Sequence, residues 1–489
     1  MRLALLTTYT ILLATLPAQT VLEPSWMKTE FSNFNTAEGW GIDVDETGNI
    51  YWVVSTNNLG QGLDIKAQKF NPEGIALWET PLLYGGAGTQ HAYVTNVNDT
   101  SLYIGGRYCT GLFNTCDMLV VKVDREIGVA TWDRTLNFSG NGYEEVDGLV
   151  LADDGIYCGG WAQELQANPF QSDIGLWKLD YAGNTDWVNH FGQANTAEHQ
   201  DGHFVVDDDH IFAAGLWNGR GLLNLYNGHA FLGKFSKEDG SLVDSILFGA
   251  QSETPFDIEN ALGMASDGEF LYITGYATPS TVTDWQIFVA KYDKSLNQIW
   301  YLDWGGTGTE TARGIVVENG LVYVAGVSES PEIISGGQRD GILLMLSTEG
   351  TVLESYTWGD EQLNNFHDLQ VFEDRLYITG TSEADTVTNA KSSFLLAFDD
   401  LVTVDVANYE PAVPSLSIYP NPTAERLFIE TLDSQVGAVT VFNLLGAQMM
   451  KSTLTGSTTQ LSVANLIPGV YLVVVEHSHD LRSGIFVKE

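Results

Sequence analysis

Seven polar residues occupy one place in a repeating frame: Glu38, Gln90, Glu144, His199, Glu259, Glu310 and Asn364, each 13 residues ahead of an aromatic landmark. Four are carboxylates. If the fold gathers them at one mouth, like charges repel unless each is hydrated, protonated, hydrogen-bonded to a neighbouring repeat, or bridged by a cation such as calcium. Carboxylates held close can also work as acid and base, the chemistry of hydrolases and lyases. A second constellation is the run EHQDGH, residues 198–203. Side chains alternate along a strand, so His199, Asp201 and His203 share a face that could ligate a transition metal or serve as polar channel residues. The turn DVDETGN opens like a calcium loop but lacks the closing glutamate at the required spacing. No GxSxG elbow, HExxH helix or phosphate loop occurs, and no motif calls for an organic cofactor.

The landmarks that set this frame are Tyr51, Tyr103, Tyr157, Phe212, Tyr272, Tyr323 and Tyr377, spaced by 52, 54, 55, 60, 51 and 54 residues. All but the first are followed three residues later by glycine, at Gly106, Gly160, Gly215, Gly275, Gly326 and Gly380. Glycine there implies close approach of a neighbouring backbone or positive φ. Each unit reads as four short strands between turn signals, as in GWGIDVD, IYWVVS, LDIKAQKF and IALWETPLL. The third segment, seen again as DMLVVKVD and QIFVAKYD, is apolar enough to be covered on both faces. One four-stranded unit cannot bury both faces alone, so neighbours must stack, and the radial solution is a β-propeller. Trp78, Trp132, Trp187 and Trp300 recur in the fourth segment and are expected to pack between repeats, each contributing about 2 to 3 kcal/mol.

The chain opens out of phase with its own repeat. SWMKTEFSNFNTAEGWG, residues 25–41, aligns with DWVNHFGQANTAEHQDG, residues 186–202, with Trp26 over Trp187 and Glu38 over Glu198. The seventh repeat stops after its third strand, near Asp400. Trp26 and its neighbours therefore supply the missing fourth strand, which closes the ring and removes open sheet edges. The expected fold is all-β: a seven-bladed β-propeller over residues 19–403, closed by an N-terminal strand. This resembles the closure of β-propeller families.

Composition bounds the function. Lys plus Arg is 22 against 63 Asp plus Glu, a formal charge of −41, which excludes a nucleic-acid partner and disfavours anionic lipid. With 44% hydrophobic residues the acidity sits on a chain that can fold. Residues 1–18, with Arg2, the apolar run Leu3 to Leu16 and Ala18, read as a cleaved signal peptide. No later run is long enough to cross a bilayer, so the mature chain carries no transmembrane segment. Export implies an oxidising compartment, in which Cys109 and Cys116, flanking a short loop, are placed to form a disulfide. Cys158 lies in an apolar strand pattern and reads as a buried, inert thiol.

Residues 404–415, with Pro411 and Pro414, read as a linker, and 416–489 as alternating strands of a small β-sandwich. The motif residues are Tyr419, Pro420, Asn421 and Pro422, then NLLG ending at Gly446, then PGVY with Gly469 and Tyr471, and a last strand reaching Lys488. This stretch resembles the type A C-terminal sorting domain of the type IX secretion system, departing only in its final Glu489. The resemblance implies a partner, the type IX machinery, and a product secreted or held at the outer-membrane surface after passage through the periplasm. KFNPEGIALW and KVDREIGVATW are similar to the tryptophan-docking repeats of pyrroloquinoline-quinone dehydrogenases. Seven units rather than eight, and no cofactor constellation, argue against that activity. Variable loops on a repeated frame suit recognition, so the expected function is binding of an extracellular glycan or protein. The alternative is a carbohydrate-active hydrolase or lyase using the carboxylates above.

Overall fold

The fold is that of a computed structural model, which describes residues 20–32, 36–57, 62–83, 88–110, 115–138, 142–163, 172–192, 197–200, 202–218, 228–248, 259–278, 284–335, 337–383, 390–399, 416–419, 422–431, 437–443, 448–454, 458–467, 469–477 and 480–488. The expected signal peptide and linker lie outside these residues. Two compact units divide the chain, Met1–Thr403 and Val404–Glu489. The described residues form strands and turns and no helix, as the alternating, β-branched and aromatic-rich pattern requires.

In the first unit an antiparallel meander recurs. The first runs through Ala37–Val44, Ile50–Thr56, Asp64–Phe70 and Ala76–Glu79. Its turns have a local chemical cause: Asp45 Oδ1 accepts the Thr47 and Asn49 amides at 2.9 Å each, and Gly48 and Gly74 take φ of 80° and 75°. The middle strands are buried along almost their whole length and the last is largely exposed, as expected for strands stacked between neighbours. The same order follows from Thr89–Val97 to Ala130–Leu136, Tyr143–Ala152 to Thr185–Phe191, Ala197–Gln200 to Leu242–Phe248, Asn260–Ser266 to Gln298–Trp304, and Glu310–Glu318 to Val352–Trp358.

The last group has three consecutive strands, Leu363–Phe372, Arg375–Glu383 and Lys391–Asp399; its fourth is Trp26–Glu30, with Trp26 opposite Ala397. Just before it, Thr20–Val21 pairs in parallel with Val352–Trp358, so the N-terminal segment serves two adjacent sheets. First strands of successive meanders pack on one another. Ala37–Val44 lies between Thr89–Val97 and Leu363–Phe372, where Asp43 Oδ2 accepts the Val97 amide at 2.6 Å and Asp368 Oδ2 accepts the Ile42 amide at 3.3 Å. Among the described residues no single sheet closes on itself.

The landmarks pack as their spacing implies. Tyr51, Tyr103, Tyr157, Tyr272 and Tyr377 meet Trp78, Trp132, Trp187, Trp300 and Trp26 of the same sheet at centroid distances of 6.0, 6.1, 6.1, 6.2 and 6.1 Å. The glycine after the landmark answers to close approach. A Cβ on Gly106 would lie 1.8 Å from the His91 carbonyl oxygen, a clash no rotamer relieves. Cys109 and Cys116 are disulfide-bonded. Cys158 is buried, and burial pushes its thiol pKa up.

The second unit has a three-stranded sheet, Leu416–Tyr419, Arg426–Thr431 and Thr458–Ser462, and a four-stranded one, Gln448–Leu454, Gly437–Asn443, Gly469–His477 and Asp480–Lys488. One core joins them, with Leu427, Ile429, Val439, Val441, Leu461 and Phe486 fully or almost fully buried. Among the sorting-motif residues, Tyr419 is exposed and stacks on Phe428 at 5.7 Å, and Tyr471 is buried and donates its hydroxyl to the Ile467 carbonyl at 2.8 Å. Gly469 pairs with Lys488 across the last two strands, while Pro422 follows Pro420 and Asn421, which with Gly446 lie outside the described residues.

Candidate functional site

Glu310 shows what the recurring polar position does. Its Oε2 accepts Gln286 Nε2 at 3.1 Å and the Gly306 amide at 2.9 Å, from the preceding meander and the loop after it; its Oε1 accepts Ser328 and Ser330 Oγ at 2.7 and 2.6 Å. Burial pushes its pKa up against those donors. Glu38 does the same through Lys391 Nζ at 2.9 Å, with His91 Nδ1 3.8 Å away. Burial opposes that charge, and His91 and Lys391 overcome the opposition and hold the Glu38 carboxyl below its ordinary range. Glu259 lies 3.4 Å from His229 Nδ1 of the preceding meander, and Asn364 accepts Ser382 Oγ at 2.6 Å. Gln90, Glu144, Glu259, Glu310 and Asn364 are all buried. Five of the seven are thus buried, and Glu38, Glu259 and Glu310 meet groups of the preceding meander, the hydrogen-bonded arrangement that keeps neighbouring carboxylates from facing one another.

The fourth meander corrects the alignment. Glu144 stands opposite Ala162, five residues past its landmark; the residue opposite Trp217, five past Phe212, is Glu198 and not His199. Glu198 is wholly buried. Between the pairs Gln200↔Gly215 and Val205↔Phe212, five residues on one strand span three on the other, whereas in the third meander Val146↔Gly160 and Val150↔Tyr157 set four against three. One extra residue explains the shift, and the first meander is shifted too: Glu38 stands opposite Ser55, four past Tyr51, while the buried Ala37 holds the place five past it, opposite Thr56. Of the proposed metal face, Asp201 and the side chain of His199 lie outside the described residues. His203 turns to Asp368, with Nε2 3.4 Å from Oδ1, a residue three meanders further on. Among the described residues no group of three or more His, Cys, Asp or Glu is placed to hold a metal ion.

The His203–Asp368 pair has Asp43 as neighbour. Burial pushes the Asp43 carboxyl up to about 7 against the amides of Val97 and Val44, and nearby Asp368 adds to the rise. Burial disfavours the charge on His203, but Asp368 outweighs it and the His203 pKa is raised.

Beside this lies a cavity of about 260 Å³ whose wall includes Trp40, Trp285, Arg313, Glu329, Arg339 and His367. Trp40 stacks on His367 at 3.9 Å, and the Arg313 guanidinium sits 5.2 Å from the Trp40 ring centre. Desolvation, reinforced by Arg313, lowers the His367 pKa to about 3, so its ring is neutral. Arg339 is engaged: Nε donates to Glu329 at 2.8 Å and an η nitrogen to Asn365 Oδ1 at 3.0 Å. Trp285, 36% exposed, stacks on Tyr276 at 4.5 Å. Aromatic character continues through Tyr93, 5.8 Å from Trp40, and Arg107, which lies over Tyr93 and bonds Glu145 at 2.7 Å. The cavity thus offers an exposed ring face and a guanidinium beside hydroxyls and one carboxylate, which suits binding of a small polar ring. None of these residues was marked by a motif, although Trp40 lies two residues beyond Glu38 and His367 three beyond Asn364, where inner strands turn side chains inward.

The chain is similar in fold to several solved structures. They include virginiamycin B lyase from Staphylococcus aureus, at 11% identity and TM-score 0.44 over 76% of this chain and 99% of that one. Quinohemoprotein alcohol dehydrogenase from Comamonas testosteroni is similar at 9% identity and TM-score 0.44, over 76% of each chain. The β-propeller domain of the Trilobed protease from Pyrococcus furiosus is similar at 10% identity and TM-score 0.42, over 75% of this chain and 98% of that one. No curated protein matches the chain. Residues 417–488 match the secretion system C-terminal sorting domain, so the chain carries the signal for type IX secretion to the cell surface. Among the described residues no helix is long and apolar enough to cross a membrane.

Proposed function

We propose that the first unit is a seven-bladed β-propeller closed by Trp26–Glu30, and that after type IX export it recognises an extracellular glycan or protein in the central cavity. The pairing of Trp26–Glu30 with Lys391–Asp399, and the packing of Ala37–Val44 between its two neighbours, support a closed ring. The observation that carries the functional reading is the cavity itself: Trp40 and Arg313 from first strands and Trp285 from the residue before Gln286–Asp293 converge there. The acid–base alternative finds less support, because both oxygens of Glu310 are occupied by hydrogen bonds inside a joint. The test is binding of the full mature chain to panels of extracellular polysaccharides and surface proteins, beside the double variant Trp40→Ala, Arg313→Ala. Binding lost in the folded variant supports the reading. No binding by the parent chain to either panel, or undiminished binding by the variant, refutes it.

A further inference from the structure

We infer that the cavity selects a single acidic sugar ring, a uronate, with its carboxylate on Arg313 and its ring face on Trp285. This rests on recognition in the cavity and adds the ligand's chemical class. The chain as a whole carries −41, yet the cavity wall has two arginines, Arg313 and Arg339, against one glutamate, Glu329. Screening confines the effect of distant acidic groups, so the local excess of positive charge governs what docks.

The two arginines are not equivalent. Arg339 is paired with Glu329, which offsets its charge, and bonds Asn365, so it acts as part of the wall. Arg313 is held only through the face of Trp40, and among the described residues its guanidinium makes no hydrogen bond or ion pair. A cation–π contact fixes the position of a guanidinium while leaving its N–H fork unspent, the arrangement that receives a carboxylate in two parallel hydrogen bonds. Anions without a ring satisfy only half of the site, because Trp285 adds an exposed aromatic face on the same wall. A sugar ring lays its apolar C–H face on such a surface. Thr309, Thr311 and Glu329 supply partners for ring hydroxyls. Size limits the ligand further: about 260 Å³ lies below the roughly 300 to 1,000 Å³ of pockets that enclose drug-sized molecules, so one ring enters and the rest of a chain stays outside.

The experiment is titration calorimetry on the full mature chain with methyl β-D-glucuronide, methyl β-D-glucoside, glucose 6-sulfate and acetate, using the parent, Arg313→Gln, Arg313→Lys and Trp285→Ala. The glucuronide is expected to bind at least about tenfold tighter than the glucoside, the sulfate or acetate. Arg313→Gln should erase that preference, Arg313→Lys should keep part of it, and Trp285→Ala should weaken glucuronide while leaving acetate unchanged. Arg313→Lys retains the charge and reports even if Arg313→Gln fails to fold. Equal affinity for glucuronide and glucoside, or a preference that survives Arg313→Gln, overturns the acidic-sugar assignment and leaves recognition in the cavity standing. A preference for the sulfate over the glucuronide also overturns it. If none of the four binds while a panel ligand does, the assignment fails alone; if no panel ligand binds either, both fail.

Discussion

Trp26 Nε1 donates a hydrogen bond to the Pro72 carbonyl at 3.1 Å, the contact that Trp78 makes to Arg125 at 2.9 Å and Trp300 to Thr348 at 3.0 Å. In each case an outer-strand indole reaches the turn before the last strand of the next sheet. At all three turns the ring also covers a glycine of positive φ, Gly74 under Trp26, Gly128 under Trp78 and Gly350 under Trp300. A residue from the start of the chain thus does the work of a fourth-strand tryptophan and holds the last sheet to the first.

Trp26→Ala should therefore destabilise the first unit by about 2 to 4 kcal/mol, and Trp300→Ala by a similar amount, through lost burial, a residual cavity and a released carbonyl. Urea unfolding followed by tryptophan fluorescence measures both. An unchanged midpoint for Trp26→Ala beside a lowered one for Trp300→Ala would show the N-terminal segment to be dispensable.

Glu310 yields a prediction that separates a joint from a ligand site. Glu310→Ala leaves Ser328, Ser330, Gln286 and the Gly306 amide without their acceptor and should cost about 2 to 3 kcal/mol. Glu310→Gln keeps one acceptor oxygen and should cost less. Ligand affinity should be the same in the folded variants as in the parent. Lost affinity with unchanged denaturant stability would return Glu310 to a binding role.

Much of the fold was legible because the repeat reports on backbone geometry. The spacing from Tyr103 to Gly106, or from Tyr272 to Gly275, persists because those glycines face a carbonyl at a distance no side chain tolerates. The buried row was legible as a position but not as a role, since Glu310 in a joint and Glu310 at a mouth have the same period. His199 was placed one residue out because the extra residue near Gly202 alters pairing, which spacing alone does not register. The cavity was the least legible part. Trp40, Arg313 and Trp285 are far apart in sequence, and only the packing of successive meanders brings them together.

The sorting domain makes an export prediction. Deleting residues 416–489 should leave the remaining chain in the periplasm, because the match that directs type IX passage spans 417–488. Cell fractionation with immunoblotting reads the outcome. Normal appearance of the truncated chain at the surface would show that another segment carries the signal.

The stability of the first unit should be greatest near pH 6.5 and fall towards pH 8. The folded pKa of Asp43, pushed up to about 7 from 3.8, means that the folded state retains a proton the unfolded chain has released, so stability is lost as pH rises through about 7. His203, raised from 6.5, acts in the same sense and loses its contribution as pH passes its folded value. His91 and His367, depressed to about 4 and about 3 from 6.5, act oppositely: their contribution is present above 6.5 and is lost as pH falls. Above pH 6.5 the histidines of the second kind are already neutral, and only the first pair titrates. Each proton released contributes a slope of at most about 1.4 kcal/mol per pH unit. Asp43→Asn removes one of the two components, so its melting temperature should fall less between pH 6.5 and 8 than that of the parent. Melting curves at both values test this; an equal fall in the two proteins would mean that Asp43 is ionised throughout, and that the alkaline loss comes from the overall negative charge.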